Sequence, residues 1–342
     1  MECYIVTLLL TIKHHWRTPG LQLFIKLSGV CILMLACTLA HAQAEHLLTD
    51  LHTNRIDHQS PSQNSVTASR EPGSWPRVVV TSPPLHSLVA GIMGEQAVPE
   101  LLFKTQASHH HAALKPSQLR QLAGADLLVW FGAQIERPID VVLQKKVVDV
   151  AHWNAQQCAE QRLLPVSPDQ PDIDPHGWLD VDNARCYVAE LVERLSAVDP
   201  SHQHHYQANG LLLSERLDRL DDQLAKQLQP TSGNYMGYHN SFRYLLSRYG
   251  LTAIGELNLF NEQPPGLRQL LTFRQQLKSA EVSCLIADSS ASRQQLEQWR
   301  AGSSAQLLML DPMGRALQPG PELYFELLTA LAGQLADCIG SQ

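Results

Sequence analysis

Four side chains in this 342-residue chain stand where coordination chemistry is possible. His176 lies in "DPHGWLDVDNA" at 174–184, and His239 closes the apolar run "YMGYH". His110 is the middle histidine of "ASHHHAALKPS", and Asp311 closes "QLLMLD". Neutral imidazoles and carboxylates are the donors that zinc binds at short range. His176 also has a plain structural use, as a capping or packing residue at a helix entry. Residue type and spacing leave open whether the four converge.

The elements that would have to position them are legible as alternating runs. Short apolar stretches at 77–82, 100–103, 126–133 and 147–151 form one set, and stretches at 235–239, 251–257, 283–289 and 306–311 form another. Helix-like segments such as "PSQLRQLAGA" and "PGLRQLLTFRQQLKSA" lie between them. This alternation predicts an α/β fold of two lobes, each a parallel sheet flanked by helices. The separator at 202–228 carries Leu212, Leu213, Leu217, Leu220 and Leu224 at helical spacing, after the start signal Asp199-Pro200-Ser201. A helix of that length spans roughly 40 Å and would join the lobes as a stiff strut. The resulting boundaries are an amino-terminal lobe at 75–198, a linking helix at 199–230 and a carboxy-terminal lobe at 231–342. Ligands of open parallel sheets gather beyond the carboxyl ends of strands, where His110, His239 and Asp311 would lie.

Sixteen histidines are many for this length, but most have bland readings. His41, His46, His52 and His58 precede the fold, and His86 and His152 have no partner visible in sequence. His202, His204 and His205 read as the solvated first turn of the long helix. A formal charge of −7 with no basic stripe argues against nucleic-acid binding. The stretch "KLSGVCILMLACTLAHAQA" has Lys26, an apolar run and Ala40-His41-Ala42, the layout of an export signal cleaved near Ala42. Residues 1–42 are therefore read as signal peptide and 43–74 as a polar, flexible leader. The apolar run is too short for a comfortable span, so no stable membrane insertion is expected after cleavage. Four cysteines then remain, Cys158, Cys186, Cys284 and Cys338, with three possible connectivities. An oxidising compartment permits such bridges.

Several segments, taken together and in order, resemble a known family. "DPHGWLDVDNA" is similar to the D-P-H-x-W-L-D-P-x-N-A signature of the metal-binding solute receptors of ABC transporters. "ASHHHAALKPSQLRQLAGADLLVWFG" resembles their first ligand segment, in which a histidine precedes a proline by six residues, as His110 precedes Pro116. "YHNSFRYLLSRYGL", "LDPMG" and "NEQPPG" resemble further segments of the zinc-uptake receptors, the ZnuA type. The likeness runs from about 77 to 339.

This resemblance implies a periplasmic receptor that captures Zn2+ between its lobes and delivers it to an ABC-transporter membrane permease, acting as a monomer and not as an enzyme. It implies His110, His176 and His239 as ligands, with Asp311 or water in the fourth position. It also implies a disulfide between Cys284 and Cys338, which would contribute roughly 4 kcal/mol in the chain-entropy model. Each ring needs an outer partner to fix its tautomer, and Asp174, Asp180 and Glu136 are candidates. Histidine at 239, where manganese receptors commonly offer glutamate, favours zinc. Affinity should fall with pH toward about 6, because protonated imidazole does not coordinate.

The chain also departs from the family. His109 and His111 flank the first ligand where acidic or polar residues are usual. The histidine-rich loop before the second ligand is replaced by the short "NAQQCAEQRLLPVSPDQPD", and Cys158 and Cys186 have no counterpart. Alternative readings are a manganese or iron receptor of the same family, an exported zinc hydrolase, or a zinc-dependent adhesin. The hydrolase reading lacks an H-E-x-x-H or similar general-base pairing.

Overall fold

Val78, Val79 and Val80 are β-branched and buried on both faces, as the interior strand of a parallel sheet requires. They form β1 (Val78–Val80) in the computed structural model, which describes residues 73–103, 114–167, 170–229, 233–239, 241–257, 266–279, 281–289 and 291–340. The expected signal peptide, the leader as drawn up to 72, and His109 to His111 lie outside the described residues.

The first half continues with α1 (Pro83–Met93), β2 (Glu100–Leu101), α2 (Pro116–Ala123), β3 (Leu127–Trp130), α3 (Arg137–Gln144) and β4 (His152–Asn154). The sheet is wholly parallel, in the order β2-β1-β3-β4. All three helices carry proline in their first turn, where the missing N–H is not needed. The chain then forms an antiparallel hairpin, β5 (Pro165–Ser167) and β6 (Gln170–Ile173), and a 3-10 turn at Gly177–Leu179. Next come α4 (Val181–Val198) and the long α5 (Gln203–Gln227).

The second half follows as β7 (Asn234–Tyr238), α6 (Arg243–Arg248), β8 (Gly255–Leu257), α7 (Leu267–Ser279), β9 (Val282–Asp288), α8 (Arg293–Arg300), β10 (Gln306–Leu310) and α9 (Leu323–Gly340). Its sheet is also parallel, in the order β10-β9-β7-β8. The fold is therefore the expected pair of parallel-sheet lobes with a long helix between them.

One correction concerns β4. The apolar run at 147–151 is not the strand. Lys146 takes φ +50°, its backbone turns out of α3, and Val147 is exposed. Pairing begins at His152, and Trp153 supplies the buried side chain. A second correction concerns α5. Tyr206, Gly210, Leu213, Leu217, Leu220 and Leu224 form its buried stripe, whereas Leu212 is exposed. Adjacent helical residues point about 100° apart, so Leu212 and Leu213 cannot share one narrow face.

The lobes are not separate oil drops. One continuous apolar core takes Val80, Leu88 and Phe131 from the first half, Leu217 and Leu224 from α5, and Tyr235, Ile286 and Leu335 from the second. Gly210 lets α4 approach α5, for a Cβ there would lie 2.5 Å from Val192. The histidines that open α5 differ from the solvated first turn expected. His202 stacks on Trp75 at 3.8 Å and bonds Asp199 at 2.7 Å, and the His205 ring meets the Met93 carbonyl at 2.8 Å. Only His204 of the three is exposed.

Two disulfides are formed among the described residues. Cys284–Cys338 is the pair implied by the resemblance, and Cys158–Cys186 ties the segment after β4 to α4. Loops of 28 and 54 residues correspond to roughly 3.5 and 4 kcal/mol in the chain-entropy model. No helix of the described residues is long and apolar enough to cross a membrane.

An ionic cluster joins the helices where the lobes meet. Asp221 of α5 accepts from Arg248 of α6 at 2.6 and 2.9 Å and from the Tyr249 hydroxyl at 2.7 Å. Arg248 also reaches Asp180 at 3.2 Å and pairs with Asp182, while Arg185 of α4 pairs with Asp218 at 2.8 Å. Burial pushes the Asp221 carboxyl up, but the bonds from Arg248 and Tyr249 outweigh it and hold the group at about 2. A depressed carboxylate stabilises the fold above its unfolded value and loses that contribution as pH falls through its folded value. Asp221→Asn should therefore lower stability on the order of 1 kcal/mol above pH ~4, with partial exposure discounted. The gap to the parent should close as pH falls toward ~2, as followed by thermal unfolding across that range.

Candidate metal centre

At the carboxyl edge of the second sheet, the chain leaves β7 through His239 and leaves β9 through Asp288. His239 takes φ +47°, the left-handed region that a side chain adopts only at some cost. Backbone bonds hold it there. His239 N–H donates to the Leu257 carbonyl at 3.0 Å, and Ser241 N–H donates to the His239 carbonyl at 2.8 Å. The His239 Nδ1 lies 2.5 Å from Asp288 Oδ2, and the buried Ser241 hydroxyl donates to that same oxygen at 3.0 Å.

His176 is held by the same device from a different element. It follows β6 and opens the turn Gly177–Leu179. Asp174 Oδ1 accepts from both the His176 backbone N–H at 3.0 Å and the ring Nδ1 at 2.7 Å. A carboxylate only accepts, so each ring carries a proton on Nδ1, and in the neutral tautomer Nε2 is then the atom left to act as a donor to metal. Asp174 and Asp288 are both nearly buried, which leaves two negative charges close behind two imidazoles.

The two rings face one another, their centroids 5.5 Å apart and their planes at 74°. Two imidazoles on one tetrahedral zinc, with Zn–N of about 2.0–2.1 Å, have centroids about 5 Å apart. The pair is therefore spaced for a shared cation. Trp178 floors the site, 5.2 Å from the His176 ring and stacked on Phe131 at 4.4 Å. Its indole N–H donates to the Pro312 carbonyl at 3.0 Å, so the floor belongs to both lobes.

The other sequence candidates are placed as follows. His110 lies outside the described residues. Asp311 follows β10, but both its oxygens face its own turn, accepting from Met313 N–H at 3.0 Å and Arg315 N–H at 2.7 Å. Among the described residues it does not join the two histidines in a close group of donor atoms. Asp180, proposed as outer support, caps α4 by accepting from Asp182 N–H at 3.0 Å and pairs with Arg162 at 2.8 Å. It also pairs with Arg248 at 3.2 Å.

Glu136 is buried beside the ends of β1 and β3, and accepts from Phe131 N–H at 2.7 Å. Burial raises its carboxyl to about 7, against smaller opposing bonds from Thr81, Phe131 and Gly132. Among the described residues its 2.7 Å bond is to backbone and not to an imidazole. His86 is a core histidine bonded through Nε2 to the Pro99 carbonyl at 2.9 Å, and burial lowers its pKa. Cys158, Cys186 and Glu190 do form a close donor group, but the two sulfurs are bonded to each other and offer no thiolate.

Sequence reasoning missed Asp288. It ends an apolar run in "SCLIADS" just as Asp311 ends "QLLMLD", and that shared position was the available signal. It also missed Ser241, whose role depends on the backbone turn at His239.

Comparison with known proteins places this geometry in context. Residues 78–338 match the family described as zinc-uptake complex component A, periplasmic. The high-affinity zinc uptake system protein ZnuA of Brucella abortus (strain 2308) is 26% identical over 306 residues, covering 77% of this chain and 91% of that one. Its counterpart in Paracoccus denitrificans is 27% identical over 301 residues, covering 78% and 92%. The crystal structure of a zinc-bound ZnuA deletion mutant, 22% identical, superposes with a TM-score of 0.67 over 79% of this chain and 100% of that one. At that identity the structural match speaks to fold alone.

The carboxylate–imidazole pairs should matter for metal more than for folding. Asp288→Ala, which frees the His239 ring, is expected to weaken divalent-metal affinity about 10–100-fold. Asp180→Ala leaves two guanidiniums short of a buried partner and should instead cost about 3 kcal/mol of stability. Metal titration and thermal unfolding of the two variants, run side by side, separate these effects.

Proposed function

The chain belongs to the family of periplasmic zinc-uptake components, and from that premise we propose that it is the solute-binding component of a zinc ABC importer. It binds Zn2+ as cargo and carries out no reaction on it. The observation that carries the reading is the facing pair of imidazoles, His176 and His239, each with its Nδ1 held by a nearly buried aspartate. Their Nε2 atoms supply two of the donors, and His110 is assigned as the third. Asp311 or a water completes the four; each Asp311 oxygen accepts one bond from its own turn and keeps a further lone pair.

Chemistry supports zinc as the cargo. Imidazole-rich, four-coordinate sites suit zinc, whereas manganese prefers more oxygen donors. Asp174 and Asp288 stay outside the coordination sphere on this reading. Their charges strengthen the basicity of the rings and offset part of the cation's charge at long range. Capture must displace any ring proton, so affinity declines as pH falls.

We further propose export to the periplasm, with cleavage of the signal peptide near Ala42, action as a monomer, and delivery of the metal to the membrane permease of the importer. The periplasmic location of the family supports the export part of this reading.

The reading is tested by zinc affinity measured against a competing chelator. His176→Ala and His239→Ala should each reduce affinity by at least about 100-fold, since loss of one of three strong donors exceeds the loss of an outer partner. Zinc binding at the parental level by either variant, or manganese bound more tightly than zinc by the parent, would overturn it.

A further inference from the structure

His176 comes from the first half of the chain, yet its contacts run to the second. After β4 the segment 158–166 crosses α4 and reaches α6. It starts at the Cys158–Cys186 bridge. Arg162 N–H donates to Asn183 Oδ1 at 2.6 Å, and Asn183 Nδ2 donates to the carbonyls of Arg162 and Gly177 at 3.0 Å each. Arg162 then donates to Ser247 of α6 at 2.9 Å. Two residues later Leu164 N–H donates to the Tyr244 hydroxyl at 2.9 Å, and that hydroxyl donates to the Asp174 carbonyl at 3.0 Å. Arg243 secures the same segment through the carbonyls of Pro165 and Val166, at 2.7 and 2.6 Å.

The turn at 174–177 is thus pinned at both ends, its first carbonyl by Tyr244 and its last by Asn183. Asp174 in turn holds the His176 ring. Tyr244 is fully buried, and its single hydroxyl has one donor and one acceptor partner, which is its full share here. It also stands five residues beyond His239, in the first turn of α6. The two rings are therefore tied to one piece of backbone.

We infer that Tyr244 is a positioning residue that fixes His176 to the carboxy-terminal lobe, so that His176 and His239 keep their spacing as one unit whatever the lobes do. This rests on the reading of His176 and His239 as zinc ligands. Tyr244 touches no metal; it acts through Asp174. Relative lobe motion is then resisted at these two donors, and the Tyr244 bonds to Leu164 and Asp174 hold the histidine turn itself, beside the ties that Arg162 and Arg243 make to the neighbouring segment. Removing the hydroxyl leaves a buried N–H and a buried carbonyl without their partner, while the ring can stay in place.

The test uses Tyr244→Phe beside Tyr249→Phe, a substitution of the same size that removes the bond to Asp221 away from the histidine turn. His176→Ala is measured in parallel. Zinc affinity, melting temperature and the visible absorption of the Co2+-loaded protein are read for each. Tyr244→Phe should bind zinc about tenfold more weakly and change the Co2+ band, because the ring of one ligand is displaced. Tyr249→Phe should lose thermal stability and keep the parental affinity and band.

Parental affinity and band in Tyr244→Phe, with His176→Ala still impaired, would refute the inference and leave the zinc reading standing. Equal losses of affinity in both tyrosine variants with unchanged bands would also refute it, as a general effect of stability. Parental binding by His176→Ala would remove the zinc reading itself.

Discussion

An imidazole has two nitrogens, and it is a dependable metal donor only when one of them is already committed. On the proposed reading of His176 and His239, much of this structure serves that commitment. Asp174 and Asp288 each hold an Nδ1, and each needs burial and a fixed backbone to do so. For Asp288 the backbone is the end of a central parallel strand, the stiffest place the second sheet offers. For Asp174 it is a hairpin exit, which has no such stiffness of its own and borrows it from α6 through Tyr244. The unfavourable φ of His239 belongs to the same arrangement. A backbone held in the left-handed region by bonds from both sides aims the ring where a relaxed strand exit would not.

The second requirement is that donors from two halves of the chain meet at a constant distance. A shared core, the charge cluster around Asp221 and Arg248, and the Trp178 floor all cross the boundary between the halves. Hydrophobic contact alone would hold the lobes together but would fix their angle poorly, because it lacks direction. The guanidinium of Arg248 supplies direction, since it meets carboxylates on α4 and α5 in its own plane. A helix of 25 residues beside it resists bending, and its buried leucine stripe keeps it against both lobes.

Much of this was legible in the residues, and the exceptions have physical causes. The two parallel sheets followed from runs too apolar for one-sided strands, and the long helix followed from its leucines. The strand at 147–151 failed because an apolar run cannot reveal that Lys146 turns out of its helix beforehand. Leu212 failed because neighbouring leucines look alike in sequence but point apart on a helix. The "DPHGWLDVDNA" stretch carried both His176 and the aspartate two residues earlier that orients it. The same stretch could not show that Asp180 also caps α4 and meets two guanidiniums, whose arginines lie 18 and 68 residues away. Asp288 was overlooked for a similar reason, since its partner lies 49 positions back along the chain. Stacking of His202 on Trp75 likewise needs the fold to bring the two together.

The two disulfides join cysteines that are consecutive among the described residues, 158 with 186 and then 284 with 338. Their loops neither overlap nor enclose the linking helix. A chain that emerges amino end first can therefore seal its first bridge before the second pair of thiols exists. Among these four cysteines, pairing by order of appearance already gives the observed connectivity, with no shuffling step between them.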